Sequence, residues 1–225
     1  RKLIRGTKEE RKRLFKDSPT GRKVHEAATQ LPPSAIRLAP ISDVPSGTPV
    51  PPLIRFAYRS FDRQFIVADA RVLDRPGPAL WRAHSDRQVY LTSLLTTVLG
   101  LGPAATVASL ISDLHHYRGS FGGKDVIPLW RNAEATEANV TAGLLEELAK
   151  TLQVAVSPED LFAYCYAVLS APAYANRFSE DLSVPGPRMP ITKDPDLFTK
   201  TVQVGRQLIG WHTYGERLGG AAPQG

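Results

Sequence analysis

One stretch decides the predicted fold class of this chain: Leu53-Ile54-Arg55-Phe56-Ala57-Tyr58-Arg59-Ser60-Phe61-Asp62-Arg63-Gln64-Phe65-Ile66-Val67-Ala68. Two β-prone runs, residues 53–58 and 65–68, flank a polar turn, and this pattern predicts a β-hairpin. Arginines and aromatic residues interleave from this hairpin to Trp81-Arg82, with no nucleophile–base pair, phosphate loop or metal cluster. The stretch therefore predicts a recognition surface rather than a reaction centre.

Further strands are expected in the middle of the chain, and helices are expected in its last third. Apolar runs at 89–98, 106–111 and 126–130 predict strands, and Pro128 confines the last one to a sheet edge or a bulge. The predicted fold is α+β, with a strand-rich part at about 53–131 and a C-terminal helical part at about 136–214.

Capping signals predict where several helices begin. Thr7 with Glu10 indicates a capping box for a short basic helix over 7–16. Ser157-Pro158 and Asp194-Pro195 indicate two further helix starts, with the proline at the first helical position. Apolar residues at three- and four-residue spacing predict a helix over 137–152, and short helical segments are expected at 78–83 and 174–182.

Composition favours one main domain with appended segments. The chain has 225 residues, 42% of them hydrophobic, and a net charge of +6. Residues 1–26 carry this whole excess, and the remainder balances at 18 basic against 18 acidic residues. Net positive charge favours a nucleic-acid partner, and residues 55–87 hold seven arginines against four aspartates.

Several features indicate a cytoplasmic protein that is part of a longer polypeptide. The chain starts at Arg1 and contains one methionine, Met189. No apolar run approaches the roughly 18 residues that span a bilayer, and the charged residues at the start of the sequence do not resemble the apolar core of a signal peptide. Cys165 is the single cysteine, which excludes an internal disulfide and predicts a small buried core residue. Seven prolines in residues 31–52 predict a linker or strap, and residues 217–225 are expected to be disordered.

Two polar segments leave alternatives open. Asp113, His115 and His116 could hold a metal, but neighbouring side chains on a strand point to opposite faces, so polar loop residues or a DNA-facing loop are preferred. The segment 120–124 resembles a phosphate loop only superficially, because strand-like residues follow it instead of a helix start. We therefore expect no metal, cofactor or catalytic residue in this part.

An ordered series of motifs resembles the C-terminal specificity domain of type ISP restriction-modification enzymes. These enzymes join nuclease, helicase-like ATPase, adenine methyltransferase and target-recognition parts in one polypeptide. The motifs are Tyr58-Arg-Ser-Phe-Asp62, Leu73-Asp-Arg-Pro76, Asp113-Leu-His-His116, Gly122-Gly123, Val126-Ile-Pro-Leu129, residues 157–174 and Pro187-Arg-Met-Pro190.

The resemblance implies a specificity domain over 53–216 and a helical end of a preceding methyltransferase or spacer region over 1–30, with the proline-rich linker over 31–52 between them. It implies recognition of a short sequence in double-stranded DNA for a DNA adenine-N6 methyltransferase carried elsewhere in the chain. S-adenosylmethionine, ATP and Mg would then serve the parent enzyme. We expect the DNA contacts to come from nine residues, part of which have a structural role instead: Arg59, Arg71, Arg75, Arg82, Arg87, His115, His116, Arg118 and Lys124.

Two other functions remain open. The helical third could dock a partner protein, with the arginines acting only in structure. A third hypothesis is a metal-dependent hydrolase at Asp113, His115 and His116, and it predicts bound metal.

Overall fold

The computed structural model describes residues 5–19, 22–96, 98, 99, 102–117 and 125–218. The chain divides into unit 1, residues 1–56 and 64–82, and unit 2, residues 57–63 and 83–225. Helices and strands occur in both units, so the predicted α+β class is confirmed. Within the described ranges, no helix is long and apolar enough to cross a membrane.

Unit 1 begins with helix α1 (Lys8–Leu14), which starts at the predicted capping box. The Thr7 hydroxyl accepts the Glu10 N–H, and the Glu10 carboxylate accepts the Thr7 N–H. Arg11 is buried, and its guanidinium donates to the carbonyl oxygens of Ile41, at 3.0 Å, and Val44. These hydrogen bonds hold the helix against a 3₁₀ turn, Ile41–Asp43.

The proline-rich segment 31–52 is packed into unit 1. Strands β1 (Ala28–Thr29) and β2 (Arg37–Leu38) pair antiparallel, and Leu31 and Ile41 are buried. The side chain of Gln30 also donates to the Ala68 carbonyl at 3.1 Å. This segment is therefore part of the folded unit, while the predicted domain boundaries stay a prediction.

The predicted hairpin and the helical turn that follows it are both present. Strands β3 (Leu53–Arg59) and β4 (Asp62–Val67) form a two-stranded sheet, and Phe61 in the connecting turn has a φ of 63°. Helix α2 (Pro78–Arg82) lies where one helical turn was expected.

Unit 2 contains a three-stranded antiparallel sheet with the order β6-β5-β7. Its strands are β5 (Tyr90–Ser93), β6 (Thr106–Ala108) and β7 (Asp125–Pro128). Strand β7 is an edge strand, as Pro128 predicted. Strand β5 is shorter than its apolar run because the chain leaves the sheet after Ser93, and the Leu95 N–H then donates to the Asp125 carboxylate at 2.7 Å.

Unit 2 contains four α-helices, and two of them begin at a side-chain cap. Helix α3 is Leu144–Leu152, α4 is Pro158–Ser170, α5 is Pro172–Arg177 and α6 is Pro195–His212. Helices α4 and α6 start at Ser157 and Asp194, as predicted. The predicted helix over 174–182 is replaced by α5 and a 3₁₀ turn, Asp181–Ser183.

The predicted helix start at 137 is wrong. Asn139 donates its N–H to the Leu129 carbonyl at 2.8 Å, and Ala138 forms an antiparallel bridge with Trp130. Gly143, with a φ of 79°, then turns the chain into α3. Tertiary hydrogen bonds to the end of β7 therefore override the helical spacing of the apolar residues before Leu144.

Helices α4 and α6 pack on the sheet to form the main core of unit 2. Leu91, Tyr166 and Ile209 are buried there, and Cys165 is partly buried beside them. Burial raises the pKa of the Cys165 thiol to about 12, so the thiol is protonated at neutral pH. The predicted core position of this cysteine fits its place against the apolar cluster.

Candidate nucleic-acid interface

Backbone pairing between the end of β3 and residues 111–113 places one predicted arginine beside Asp113. The Ala57 N–H donates to the Ile111 carbonyl at 3.0 Å, and the Asp113 N–H donates to the Ala57 carbonyl at 2.9 Å. Two residues further along β3, Arg59 Nη1 donates to Asp113 Oδ1 at 2.9 Å. Residues 54 positions apart in sequence therefore share one ion pair.

The same carboxylate also orients His115. Asp113 Oδ1 accepts the His115 backbone N–H at 2.8 Å and lies 3.2 Å from His115 Nδ1. The Arg59 guanidinium stacks 3.9 Å from the Tyr58 ring centroid, and its Nη1 also donates to the Tyr58 carbonyl at 2.7 Å. We call Arg59, Asp113 and His115 the Asp113 centre.

The Asp113 centre remains partly open to solvent. The side chains of Arg59, Asp113 and His115 are 33%, 28% and 34% exposed. Arginine can donate to a phosphate or to a base edge through several N–H groups at once. A carboxylate that fixes the guanidinium by one of its nitrogens leaves the others available for such contacts.

His116 points into the protein. It is 2% exposed, its Nδ1 lies 3.0 Å from the Thr92 hydroxyl, and its carbonyl accepts the Ser60 N–H and hydroxyl. Burial lowers the pKa of His116 to about 4, with the nearby Arg59 acting in the same direction and Asp113 opposing it. In the described parts of the chain, no three His, Cys, Asp or Glu side chains are grouped to hold a metal.

The remaining predicted residues differ in their surroundings. Arg87 has a side chain that is 62% exposed, with Nη2 3.8 Å from a Glu159 carboxylate oxygen. Arg75 and Arg82 of unit 1 are exposed. Arg71 is 7% exposed, and its guanidinium donates to both Asp69 carboxylate oxygens and to a backbone carbonyl. Arg118 and Lys124 lie outside the described residues.

Sequence reasoning missed a second arginine network in unit 2. Arg63 Nη1 lies 2.9 Å from Glu216, and Nη2 donates to the Thr213 carbonyl at 2.9 Å. Arg217 donates to the Gln88 carbonyl at 2.8 Å and also to three further backbone carbonyls. Arg63 lies 150 residues or more from these partners in sequence, and Arg217 lies more than 100 residues from Ser85, Gln88 and Ser109, so no local motif indicates these contacts.

Comparison with known proteins gives a family match over the whole chain. The model of the type ISP C-terminal specificity domain family matches residues 1–225. No curated protein matches the chain in sequence.

Solved structures show a similar fold within much longer chains. A DrdV–DNA complex, determined by cryo-EM, has a TM-score of 0.58 at 20% identity, and the match covers 72% of this chain and 16% of that chain. The ATP-dependent type ISP restriction-modification enzyme LlaBIII, bound to DNA, has a TM-score of 0.54 at 15% identity, covering 76% of this chain and 11% of that one. The chain thus spans a minor part of the length of either protein.

Proposed function

The chain belongs to the family of type ISP C-terminal specificity domains, and we propose that it recognises a target sequence in double-stranded DNA for a restriction-modification enzyme. The observation that carries this proposal is the family match across residues 1–225. The structures with a similar fold, DrdV and LlaBIII, are complexes with DNA, which supports the same partner.

The catalytic steps are proposed for other parts of a longer polypeptide. The chain corresponds to 16% of DrdV and 11% of LlaBIII, and LlaBIII is an ATP-dependent restriction-modification enzyme. We propose that an adenine-N6 methyltransferase, a helicase-like ATPase and a nuclease share the polypeptide, with S-adenosylmethionine, ATP and Mg as their cofactors. This part would then select the site and catalyse no step itself.

Recognition requires two kinds of contact, and the candidate residues suit both. Contacts to phosphates set the register of a protein on the duplex, and contacts to base edges specify the sequence. Arg59 has a fixed orientation in the Asp113 centre, as base-edge readout requires. Exposed Arg75, Arg82 and Arg87 suit phosphate contacts. We assign Arg71 and His116 to the folded interior, because both are buried and hydrogen-bonded within their own units.

A binding measurement with the intact chain tests this function. We expect a random-sequence DNA duplex to bind at about 50 mM salt, with an affinity that falls steeply as salt rises towards about 200 mM, because phosphate contacts release counterions. A pool of random duplexes, selected over several rounds, should then yield one enriched motif. The absence of binding at low salt would contradict the proposal, and binding without enrichment would remove the claim of sequence recognition.

A second candidate function is a protein-interaction module, and a groove in the helical part favours it. The groove has a volume of about 550 Å³ and lies among α4, α5 and α6. Exposed Leu197 and Val204 line it together with Arg177 and Lys200. Alanine substitutions of Arg59, Arg82 and Arg87 that leave DNA binding unchanged would favour this alternative.

A further inference from the structure

Positive charge is concentrated in unit 1. Its residues, 1–56 and 64–82, include 15 Lys and Arg against seven Asp and Glu, a net charge of +8. Unit 2 has 13 Lys and Arg against 15 Asp and Glu, a net charge of −2. Electrostatic attraction to a polyanion such as DNA therefore has to come mainly from unit 1.

The acidic side chains of unit 1 are mostly engaged within the unit. Five of the seven have a partner there, and these are Glu10 at the helix cap, Asp17 with the His25 N–H, Glu26 with Lys23, Asp43 with Lys8, and Asp69 with Arg71. Of the 13 basic side chains that the structure describes in unit 1, 11 are exposed, all but Arg11 and Arg71, and two of the exposed ones, Lys8 and Lys23, are the partners of Asp43 and Glu26. Most of the positive charge of unit 1 thus faces solvent.

Helix α1, which carries exposed basic side chains, is anchored by one buried arginine. Arg11 fixes the helix through its hydrogen bonds to the Ile41 and Val44 carbonyls. Lys12, Arg13 and Lys16 are exposed around this anchor. A hydrogen bond from Lys8 lowers the pKa of Asp43, and the charge of Lys12 contributes to the same shift. The Asp43 carboxylate therefore interacts with both lysines.

We propose that Lys12, Arg13 and Lys16, the basic surface of unit 1, bind the phosphate backbone of duplex DNA without regard to sequence. The inference rests on the proposed function and adds a division of roles: unit 1 supplies affinity, and the Asp113 centre of unit 2 contributes to readout. A DNA duplex carries one negative charge per about 1.7 Å of its axis. Exposed cations on an anchored helix can therefore bind its phosphates without a pocket.

Neutralising these three side chains tests the inference. In the intact chain carrying Lys12→Gln, Arg13→Gln and Lys16→Gln, we expect the affinity for a random-sequence duplex to fall at least about tenfold at about 100 mM salt. The slope of log affinity against log salt should decrease in magnitude by about 2 to 3, close to 0.9 for each phosphate contact removed. Circular dichroism and thermal unfolding should match the wild type, since all three side chains are exposed.

A matched variant of unit 2 controls for net charge. Lys150→Gln, Lys193→Gln and Lys200→Gln remove the same charge from exposed positions, and we expect the salt slope to stay near that of the wild type. An equal loss of slope in both variants would overturn the inference while leaving DNA binding established. So would wild-type binding to poly-glutamate as tight as to the duplex. Failure of the wild-type chain to bind the duplex at about 50 mM salt would overturn this inference and the proposed function together.

Discussion

At the residue scale, the role of Asp113 can be tested by whether its replacement weakens or strengthens DNA binding. An acidic side chain close to DNA normally weakens binding, because it repels the phosphates. Asp113, however, accepts hydrogen bonds from Arg59 and from the His115 backbone through one carboxylate oxygen. If it acts by orienting Arg59, its removal will weaken binding although a negative charge is lost.

We therefore expect Asp113→Asn to lower the affinity for the selected DNA motif by about tenfold, the cost of a disrupted charge-assisted hydrogen bond. Glu134→Gln is the control, because Glu134 is exposed and its replacement removes the same charge. Fluorescence anisotropy with the labelled motif gives both affinities. If Asp113→Asn binds more tightly than the wild type, the positioning role is wrong and Asp113 acts only as a repulsive charge.

The local sequence could identify Arg59 and His115 as candidates, but it could not reveal that they meet. Their meeting depends on the hydrogen bonds between Ala57 and residues 111–113, which join distant parts of the chain. The interior positions of His116 and Arg71 depend on tertiary packing in the same way. Residue type and spacing indicate which side chains could bind DNA, whereas the fold determines which of them are buried.

At the scale of elements, the predictions that came true rest on interactions within a few residues. The capping boxes at Thr7 and Ser157 each lie within four consecutive residues, so their start signals are visible in sequence. The start of α3 depends on Gly143 and on hydrogen bonds to Leu129, and the apolar spacing before it gave the wrong boundary. The start of a helix is predictable from sequence where residues close to it in sequence determine it.

The contact between α4 and α6 yields a prediction about stability. A Cβ atom at Gly205 would lie 1.9 Å from the Ala163 carbonyl oxygen, so the two helix backbones touch at this glycine. Glycine-to-alanine substitution in a helix usually stabilises by about 0.5 to 1 kcal/mol. Here the added methyl group has to push the helices apart.

We expect Gly205→Ala to lower the free energy of unfolding by at least about 2 kcal/mol, as overpacked cores do. Gln207→Ala, at an exposed position of the same helix, should change it by less than about 0.5 kcal/mol. Chemical denaturation followed by circular dichroism measures both values. Equal stability of the wild type and Gly205→Ala would show that the helices separate without cost, contrary to the close packing described for them.

At the scale of the whole molecule, its two units differ in charge and in the role we propose for each. Unit 1 carries the net charge of +8 and keeps its cations at the surface. Unit 2 carries −2 and contains three histidines whose pKa values are lowered mainly by burial, which is complete for His116 and partial for the other two: His84, His116 and His212. DNA affinity and acid sensitivity should therefore belong to different units.

The acid sensitivity of unit 2 follows from the sign of these shifts. His116 has a pKa of about 4 in the folded chain and 6.5 as its ordinary value, so between these pH values the unfolded chain binds a proton that the folded chain does not. Stability is full above pH 6.5 and decreases as the pH falls towards 4, by up to about 3 kcal/mol from this group. Burial of His84 and His212 acts in the same direction.

We therefore expect the free energy of unfolding of unit 2, followed by near-ultraviolet circular dichroism, to decrease between about pH 7 and about pH 4.5. His116→Gln can keep a hydrogen bond to Thr92 without gaining a charge, so it should be less stable at neutral pH but should lose less stability on acidification. His25→Gln is the control, because His25 belongs to unit 1 and should leave the pH dependence of unit 2 unchanged. If His116→Gln retains the wild-type pH dependence, the acid sensitivity arises from other groups, and the protonation of buried His116 does not limit the stability of the fold.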